Sequence, residues 1–311
     1  MKKLISIAAL GGMLLAACGG GSSAVTATVD GADITVGEVE ALINTEDTVI
    51  DKATFAQYLG FAIQFLILDA AAEADFGVSF TDEEIKTQAD QMVTDIVAEG
   101  QTREEFLSER GISEDFLSEV ANQSLIDVGI RELFLEDIAE ATDEEVDDAR
   151  NAARAPLTTA CVSHILVTTE EEAQAVLDRL GAGDDFGALA VELSQDSGSA
   201  VNNGDLGCGT LETYVPPFRD AALIAPIGEV HSEIVTSQFG FHIVMVTDRE
   251  DAADEDIPGD EELAEAVRNN AAAQEFQSWF FAAIETAEVT VGEEYGVWEA
   301  SPPQVIPPTA E

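Results

Sequence analysis

Two short apolar stretches, each with the alternation of a β-strand and a histidine near its centre, most constrain how this chain can fold. They are "CVSHILV" at residues 161–167 and "FGFHIVMV" at residues 239–246, in a chain of 311 residues with three histidines. Alternate residues of a strand lie on opposite faces, so His164 and His242 each share a face with aliphatic side chains. Strands that begin and end a compact unit often pair, and we therefore expect the two imidazoles to meet on one face of a sheet.

Strand and helix patterns alternate between these two stretches. The sequence predicts a strand at 160–169, helices at 170–183 and 184–194, a polar glycine-rich loop at 195–210, a short helix at 216–229 and a final strand at 239–250. These elements together form a unit of about ninety residues, which is bounded on its N-terminal side by Pro156 and ends near Arg249.

The succession "SHILV", "VLDRLGAGDDFGALAVELSQD", "GDLG", "PPFRDAAL", "GEV" and "TSQFGFHIV" resembles a parvulin-type peptidyl-prolyl isomerase domain from end to end. The flanking segments, through their layout and the "VDGADIT" opening, resemble extracytoplasmic foldases of the PrsA/SurA kind. The resemblance implies an α+β fold in which a parvulin domain, a four-stranded antiparallel sheet with surrounding helices, is inserted in a mostly helical SurA-like chaperone module. It implies peptidyl-prolyl cis/trans isomerase activity without a cofactor or a metal.

The same resemblance implies a catalytic network when it is carried over position by position. The two active-site histidines fall on His164 and His242, and the polar position near the loop falls on Asp196. The hydroxyl beside the second histidine falls on Thr236 or Ser237, because a difference of one residue in length leaves both positions open. A pair of neutral imidazoles can link hydroxyls and a carboxylate without burying net charge.

The proline pocket implied by the resemblance falls on Leu206, Tyr214 and Phe218. Three positions depart from the usual pattern. Asn203 stands where a first glycine is usual, Tyr214 stands where methionine is common, and His231 replaces a serine and is interpreted as a surface residue. Asn203 and Tyr214 keep an alternative function open, namely a lipid-anchored chaperone or binding protein whose parvulin domain is catalytically weak or inactive.

The N-terminus has the pattern of a targeting segment. Lys2 and Lys3 precede a short apolar run, and the run ends in "LAAC" at residues 15–18, which looks like a bacterial lipobox. We therefore expect a lipoprotein signal peptide at 1–18, acylation of Cys18, a flexible tether at 19–23 and an extracytoplasmic protein anchored to the bacterial membrane. An ordinary secretory signal in which Cys18 is incidental is the alternative.

Two cysteines remain if Cys18 carries lipid. Cys161 and Cys208 would then lie in an oxidising compartment, where a disulfide between them is permitted. Two separate buried thiols are the alternative, because the sequence does not supply the Cα separation that the bond requires.

The rest of the chain is predicted to be mostly helical. A helical N-terminal chaperone-like domain at 24–157 begins with a short strand pair, and three Thr-x-x-Glu capping boxes mark helix starts at Thr81, Thr102 and Thr142. Residues 251–299 are predicted to form an acidic linker, a long helix and a strand that pack on the N-terminal domain. Residues 300–311 are predicted to be a loose tail.

The charge balance narrows the possible partners. The chain has 13 basic and 62 acidic residues. Nucleic acid is therefore not expected as a partner, because phosphate neutralisation needs Lys and Arg. The acidity is interpreted as a solvated surface that favours solubility. The expected partners are unfolded or partly folded exported polypeptides that contain X-Pro bonds.

Two other kinds of site are disfavoured by spacing. The histidines and cysteines fit no C-x2-C or H-E-x-x-H pattern for zinc. Neither Cys161 nor Cys208 has the base-orienting neighbours of a cysteine hydrolase.

Overall fold

The computed structural model describes residues 22–43, 50–97 and 101–308, and the chain folds as two compact units. Within the described residues, the first unit comprises the chain up to Ile138 and from Ala271 onward, and the second unit is Ala139–Asn270. The predicted signal peptide with Cys18 and most of the tether lie outside the described residues.

Before Ile138, the described residues of the first unit form five helices and two strands. They are β1 (Val25–Val29), β2 (Ala32–Thr35), α1 (Val36–Leu42), α2 (Lys52–Phe76), α3 (Asp82–Thr94), α4 (Arg103–Arg110) and α5 (Glu114–Asp137). Three strands follow the second unit: β7 (Val289–Val291), β8 (Val297–Ala300) and β9 (Pro303–Ile306).

The second unit carries the sequence features that point to function. Its elements are α6 (Asp143–Arg154), β3 (Thr159–Val167), α7 (Glu170–Gly181), α8 (Phe186–Leu193), α9 (Ser197–Ala200), β4 (Asp205–Thr210), α10 (Pro216–Ile224), β5 (Val235–Ser237), β6 (Gly240–Glu250) and α11 (Asp260–Thr286). The division between the units falls within α11.

Local hydrogen bonds set where the helices begin, as the sequence predicted. At Thr81, Thr102 and Thr142 the threonine hydroxyl accepts from the glutamate N–H three residues later, and that glutamate accepts from the threonine N–H. Helices α2 and α4 end at Gly77 and Gly111, both in the left-handed conformation that glycine adopts without steric cost.

Helix α2 forms the centre of the first unit. Leu59 and Ile63 are fully buried in a core that also receives Val39 and Ile284. Among the described residues α2 is the one helix with the length and hydropathy of a membrane span, and nearly half of its most apolar stretch is buried in the unit. That burial is typical of the core helix of a folded domain.

The chain after residue 299 differs from the loose tail that the sequence predicted. Strand β9 pairs antiparallel with β8, and Val305 is 5 % exposed in the core around α2. Gly60 on α2 permits this approach, because a Cβ there would lie 3.3 Å from the Val305 nitrogen. Long-range packing therefore orders a segment whose prolines suggested disorder.

The second unit is built on one antiparallel sheet with the strand order β4-β3-β6-β5. This confirms the predicted α+β fold with four antiparallel strands and the predicted pairing of the strands that bear the histidines. One face of the sheet packs Ile165 and Ile243 against α7 and α8. The other face packs Val162 and Val244 with residues of α10.

The glycine-rich segment at 195–210 is more ordered than the loop that the sequence predicted. It contains the one-turn helix α9 and the strand β4, which pairs with β3. Three glycines in the six residues from 204 to 209 hide this strand from a propensity-based prediction. Pairing with the long strand β3 is what orders it.

Candidate active site

The two imidazoles of the sheet meet on one face. Strand β3 pairs with β6 so that Leu166 is opposite His242 and His164 is opposite Val244. The histidines are therefore diagonal neighbours. Their Nδ1 atoms are 3.2 Å apart and their rings are nearly parallel, with 5.4 Å between centroids. Both are buried, at 6 % and 4 % exposure.

The loop before β4 brings a carboxylate to the far side of His164. Its Nε2 lies 2.9 Å from Asp196 Oδ2 and 3.1 Å from Ser199 Oγ. The Ser199 hydroxyl donates to the same carboxylate oxygen at 2.6 Å. The hydrogen bonds from Ser199 and His164 lower the pKa of Asp196 to about 2. This carboxylate is therefore ionised at neutral pH and can accept hydrogen bonds but cannot donate them.

The structure separates the two hydroxyls between which the sequence could not choose. Ser237 Oγ lies 2.7 Å from His242 Nε2 and accepts from the Phe239 N–H at 3.0 Å. Thr236 is exposed and pairs with Phe241 in the sheet. Ser237 joins the histidine network, and no hydrogen bond from Thr236 to either histidine appears among the described contacts.

With both rings neutral, the ionised carboxylate fixes a single direction of hydrogen-bond donation along this network. Because Asp196 only accepts, His164 carries its proton on Nε2 and presents Nδ1 as an acceptor. His242 then donates from Nδ1, and its Nε2 accepts from the Ser237 hydroxyl. The neutral network therefore runs from Ser237 through both rings to Asp196, with each ring nitrogen satisfied.

Burial keeps His242 neutral. Removal from water, followed by the neighbouring His164, lowers the pKa of His242 to about 4, and Asp196 opposes this only in part. At neutral pH the ring at the centre of the network is therefore an uncharged hydrogen-bonding group.

An aromatic and aliphatic wall stands beside the imidazoles. Phe218 of α10 lies edge-on to both rings, with its centroid 5.6 Å from that of His164 and 5.2 Å from that of His242. The Tyr214 ring lies against the Phe218 ring, with 4.9 Å between their centroids. Leu206 and Tyr214 are partly buried and pack on the core that contains Phe218. Phe218 therefore lies next to both histidines, and the other two predicted pocket residues pack on the core to which Phe218 belongs.

The departure at Asn203 is accommodated by the backbone. Asn203 adopts a left-handed conformation with φ of 61°, which asparagine tolerates better than most residues. The next residue must be glycine, because a Cβ on Gly204 would lie 2.4 Å from the His164 carbonyl oxygen. The Gly204 carbonyl in turn accepts from the His164 N–H at 2.8 Å.

Cys161 and Cys208 form a disulfide in the structure. They are directly opposite each other in the pairing of β3 with β4. The bond holds β4 against β3, the strand that carries His164. Cys208 lies four residues after Gly204, where the two segments make their close contact.

His231 is not the surface residue that the sequence predicted. It is 8 % exposed, and its N–H donates to the Val244 carbonyl at 2.8 Å. The segment before it lies along β6, where Val230 bridges to Met245. Pairing with a central strand, which the sequence does not encode locally, removes this side chain from solvent.

Ser199 is the network residue that the sequence reasoning missed. Its spacing from Asp196 is the available signal, since an aspartate at a helix N-cap often meets the side chain three residues later. Among the described residues no cluster of three or more His, Cys, Asp or Glu side chains has an arrangement suited to a metal ion.

The second unit contains a peptidyl-prolyl isomerase domain of the PPIC type. Residues 150–250 match the PPIC-type PPIASE domain family. The chain is 35% identical over 226 residues to the foldase protein PrsA of Halalkalibacterium halodurans, covering 70% of this chain and 67% of that protein. It is 33% identical to the foldase protein PrsA of Oceanobacillus iheyensis, covering 67% and 68%. The chain therefore belongs to the PrsA foldase family.

Two solved structures are also similar. A peptidylprolyl isomerase (PrsA) from Bacillus cereus has a TM-score of 0.37 and 22% identity, over 83% of this chain and 96% of that one. NmPin, the parvulin of Nitrosopumilus maritimus, has a TM-score of 0.28 and 47% identity, over 30% of this chain and 99% of that one.

Proposed function

We propose that this chain is a lipid-anchored, extracytoplasmic foldase that isomerises X-Pro bonds in exported polypeptides. The observation that carries the catalytic part is the close pair of buried imidazoles, joined Nδ1 to Nδ1 at 3.2 Å and faced by Phe218. The proposed catalytic residues are His164, Asp196, His242 and Ser237, and the proposed proline pocket is Leu206, Tyr214 and Phe218.

The reaction requires a twisted amide to be favoured over either planar form. Rotation about the X-Pro bond meets a barrier of roughly 18–20 kcal/mol, because resonance holds the amide planar. An apolar wall of Phe218, Tyr214 and Leu206 would grip the proline ring and leave the preceding residue free to rotate. A twisted amide has lost resonance, so a dry pocket that accepts its shape favours the transition state.

The hydrogen-bond network would form the polar surface beneath that amide. The polar atoms of the network are satisfied by one another, so this surface is rigid and does not need to bind water or a charged group. The Ser237 hydroxyl and the ring of His242 lie at the end remote from the ionised Asp196. We expect the rotating amide to lie over this end of the network, which carries no charge.

Substitution of the network tests the assignment. We expect His164→Ala and Asp196→Ala each to reduce kcat/KM for a proline tetrapeptide by about 100-fold, within the range of catalysis by positioned polar groups. Turnover would be measured by NMR exchange on the full chain. His231→Gln is the matched control, because His231 is also buried but contacts neither imidazole, and it should retain activity. Unchanged turnover in both alanine variants would refute the assignment.

The membrane anchor is proposed from the N-terminal sequence. Lys2, Lys3 and the "LAAC" pattern at residues 15–18 support lipidation of Cys18. Loss of Lys2 and Lys3 with the signal would leave 11 basic and 62 acidic residues, a net charge of −51. Labelling of expressing cells with a radioactive fatty acid should mark the wild-type chain and not Cys18→Ala. A labelled Cys18→Ala chain would contradict the proposal.

The flanking segments are proposed to act as a chaperone-like module. We assign this role to residues 24–157 and 251–299, on either side of the isomerase domain at 158–250. The full-length His164→Ala variant, deficient in turnover, should still suppress aggregation of a reduced, unfolded client protein. Loss of suppression in parallel with turnover would show that the flanking segments do not hold clients independently.

A further inference from the structure

Ser199 lies at the junction of the carboxylate and the first imidazole. It is 3 % exposed, and its Oγ is 2.6 Å from Asp196 Oδ2 and 3.1 Å from His164 Nε2. The three side chains form a closed triangle, since His164 Nε2 also reaches Asp196 Oδ2 at 2.9 Å.

The hydroxyl of Ser199 restrains a carboxylate that is otherwise open to solvent. The Asp196 side chain is 30 % exposed, against 7 % for His164. Its Oδ1 accepts from the Gly198 N–H at 3.1 Å, and its Oδ2 accepts from Ser199 and His164. Without Ser199, Oδ2 would retain a single protein partner and the carboxylate could turn toward water.

The backbone of Ser199 is also linked to the main chain of His164. The Ser199 carbonyl accepts from the N–H groups of Asn202 and Gly204 at 2.8 Å and 2.9 Å. The Gly204 carbonyl accepts from the His164 N–H at 2.8 Å. Ser199 therefore connects the side chain and the main chain of His164 through two separate routes.

We infer that Ser199 is a positioning residue of the isomerase: its hydroxyl holds the Asp196 carboxylate so that His164 keeps its proton on Nε2 and its Nδ1 toward His242. This inference rests on the proposed role of the histidine network. Charge-assisted hydrogen bonds such as that from Ser199 to Asp196 are the stronger class, so loss of this one affects the proton arrangement of the whole network. The Ser199 hydroxyl contacts no reacting atom in this arrangement.

Ser199→Ala, Ser199→Cys and Ser199→Thr in the full chain test this inference. We expect Ser199→Ala to lower kcat about tenfold with KM within a factor of two, because pocket residues are unchanged. Ser199→Cys keeps the volume with a much weaker donor and should behave like Ser199→Ala. Ser199→Thr retains the hydroxyl and should recover most of the loss. Ser197→Ala is the matched control, an exposed serine in the same turn.

NMR titration supplies readouts that a merely structural role would not move. In Ser199→Ala the pKa of Asp196 should rise toward its ordinary value, and the ¹⁵N shifts of His164 should show a mixture of tautomers at neutral pH. Circular dichroism melting identifies any variant that does not fold. If Ser199→Ala does not fold, the same measurements on Ser199→Cys decide the question.

Two outcomes have different meanings. Absence of turnover in the wild-type chain would overturn the proposed function, while the NMR readouts would still decide whether Ser199 sets the protonation of Asp196 and His164. A folded Ser199→Ala or Ser199→Cys variant with wild-type kcat, Asp196 pKa and His164 tautomer would overturn the inference about Ser199.

Discussion

His242 combines deep burial with three hydrogen-bonding or ring contacts from different elements. It meets His164 from β3, Ser237 from β5 and Phe218 from α10. A charged imidazole at this position would lose its hydration without gaining a carboxylate partner of its own, since Asp196 contacts the other ring. The network therefore requires the His242 ring to be neutral, and protonation of that ring in acid should disrupt it.

The pH dependence of stability follows from the lowered pKa of His242. The unfolded chain takes up a proton on this residue near pH 6.5, whereas the folded chain does so near pH 4. The contribution of His242 to the free energy of unfolding therefore decreases as pH falls from about 6.5 to 4. In His242→Gln the decrease over this window should be smaller, as measured by urea unfolding.

Asp196 affects stability in a separate and more acidic pH range. Its folded pKa of about 2 is below the ordinary 3.8, so its contribution to stability is complete above 3.8 and is lost as pH falls through 2. It therefore does not mask the change at His242. Equal slopes for wild type and His242→Gln between pH 6.5 and 4 would contradict the predicted neutral state of His242.

The disulfide between β3 and β4 acts at the level of elements. It closes a separation of 47 residues, for which loss of chain entropy in the unfolded state stabilises the fold by at most about 4 kcal/mol. We expect the double variant Cys161→Ser, Cys208→Ser to melt at a lower temperature and to turn over less, because β4 begins beside Gly204 and its contact with His164. A reducing agent should lower the melting temperature of the wild-type chain and leave that of the double variant unchanged. Equal melting temperatures for the two chains would contradict this expectation.

Helices α2 and α5 place two partly buried carboxyl groups, those of Asp69 and Glu119, near each other in the first unit. Removal from water raises the pKa of Asp69 to about 6, opposed by the hydrogen bond from Asn122. Burial, together with Asp69 and Asp115, raises the pKa of Glu119 to about 7. These groups hold protons in the folded chain that the unfolded chain releases above pH 4.5.

Stability of the first unit should therefore decrease as pH rises from about 4.5 to 7, the opposite sign to His242. Glu119→Gln removes one of these groups and should raise the melting temperature at pH 8, with less effect at pH 5. Glu136→Gln, an exposed substitution on the same helix, is the control. A Glu119→Gln chain that is not stabilised at pH 8 would contradict the predicted buried charge.

Over the whole molecule, the isomerase unit presents an almost purely negative surface. Residues 139–270 contain 29 acidic residues, six arginines and no lysine. All six arginines contact carboxylates: Arg150, Arg154, Arg179, Arg219, Arg249 and Arg268. The unit therefore has no uncompensated cation to attract an acidic client segment.

We expect this charge to select among substrates. A tetrapeptide with Lys before proline should have a kcat/KM several-fold above that of its Glu counterpart at low ionic strength. The difference should shrink at 1 M salt, where the Debye length is about 3 Å. An equal preference at both salt concentrations would show that the surface charge does not steer substrates.

Much of this fold could be predicted from the sequence, because short-range interactions determine it. A capping box spans three residues and a strand alternates every two, so helix starts and the shared face of His164 with Val162 are visible in the chain itself. Gly207 of "GDLG" likewise meets a local requirement, because its φ of 82° lies in the left-handed region and no atom lies near a Cβ built there. The pocket residues were found by resemblance, and the structure brings them together.

Only tertiary structure decided the contacts between distant segments. His164 and His242 are 78 residues apart, and the register of β3 with β6 determines that their Nδ1 atoms meet. The choice of Ser237 over Thr236 depends on the pairing of β5 with β6, and the burial of His231 depends on the segment that lies along β6. Strand β9 is ordered by packing on α2. One hydrogen bond between them, from the Gln64 side chain to the Pro303 carbonyl, joins residues that are 239 apart in the sequence. Contacts of this kind depend on how distant segments pack in the folded chain, and no local sequence pattern specifies that packing.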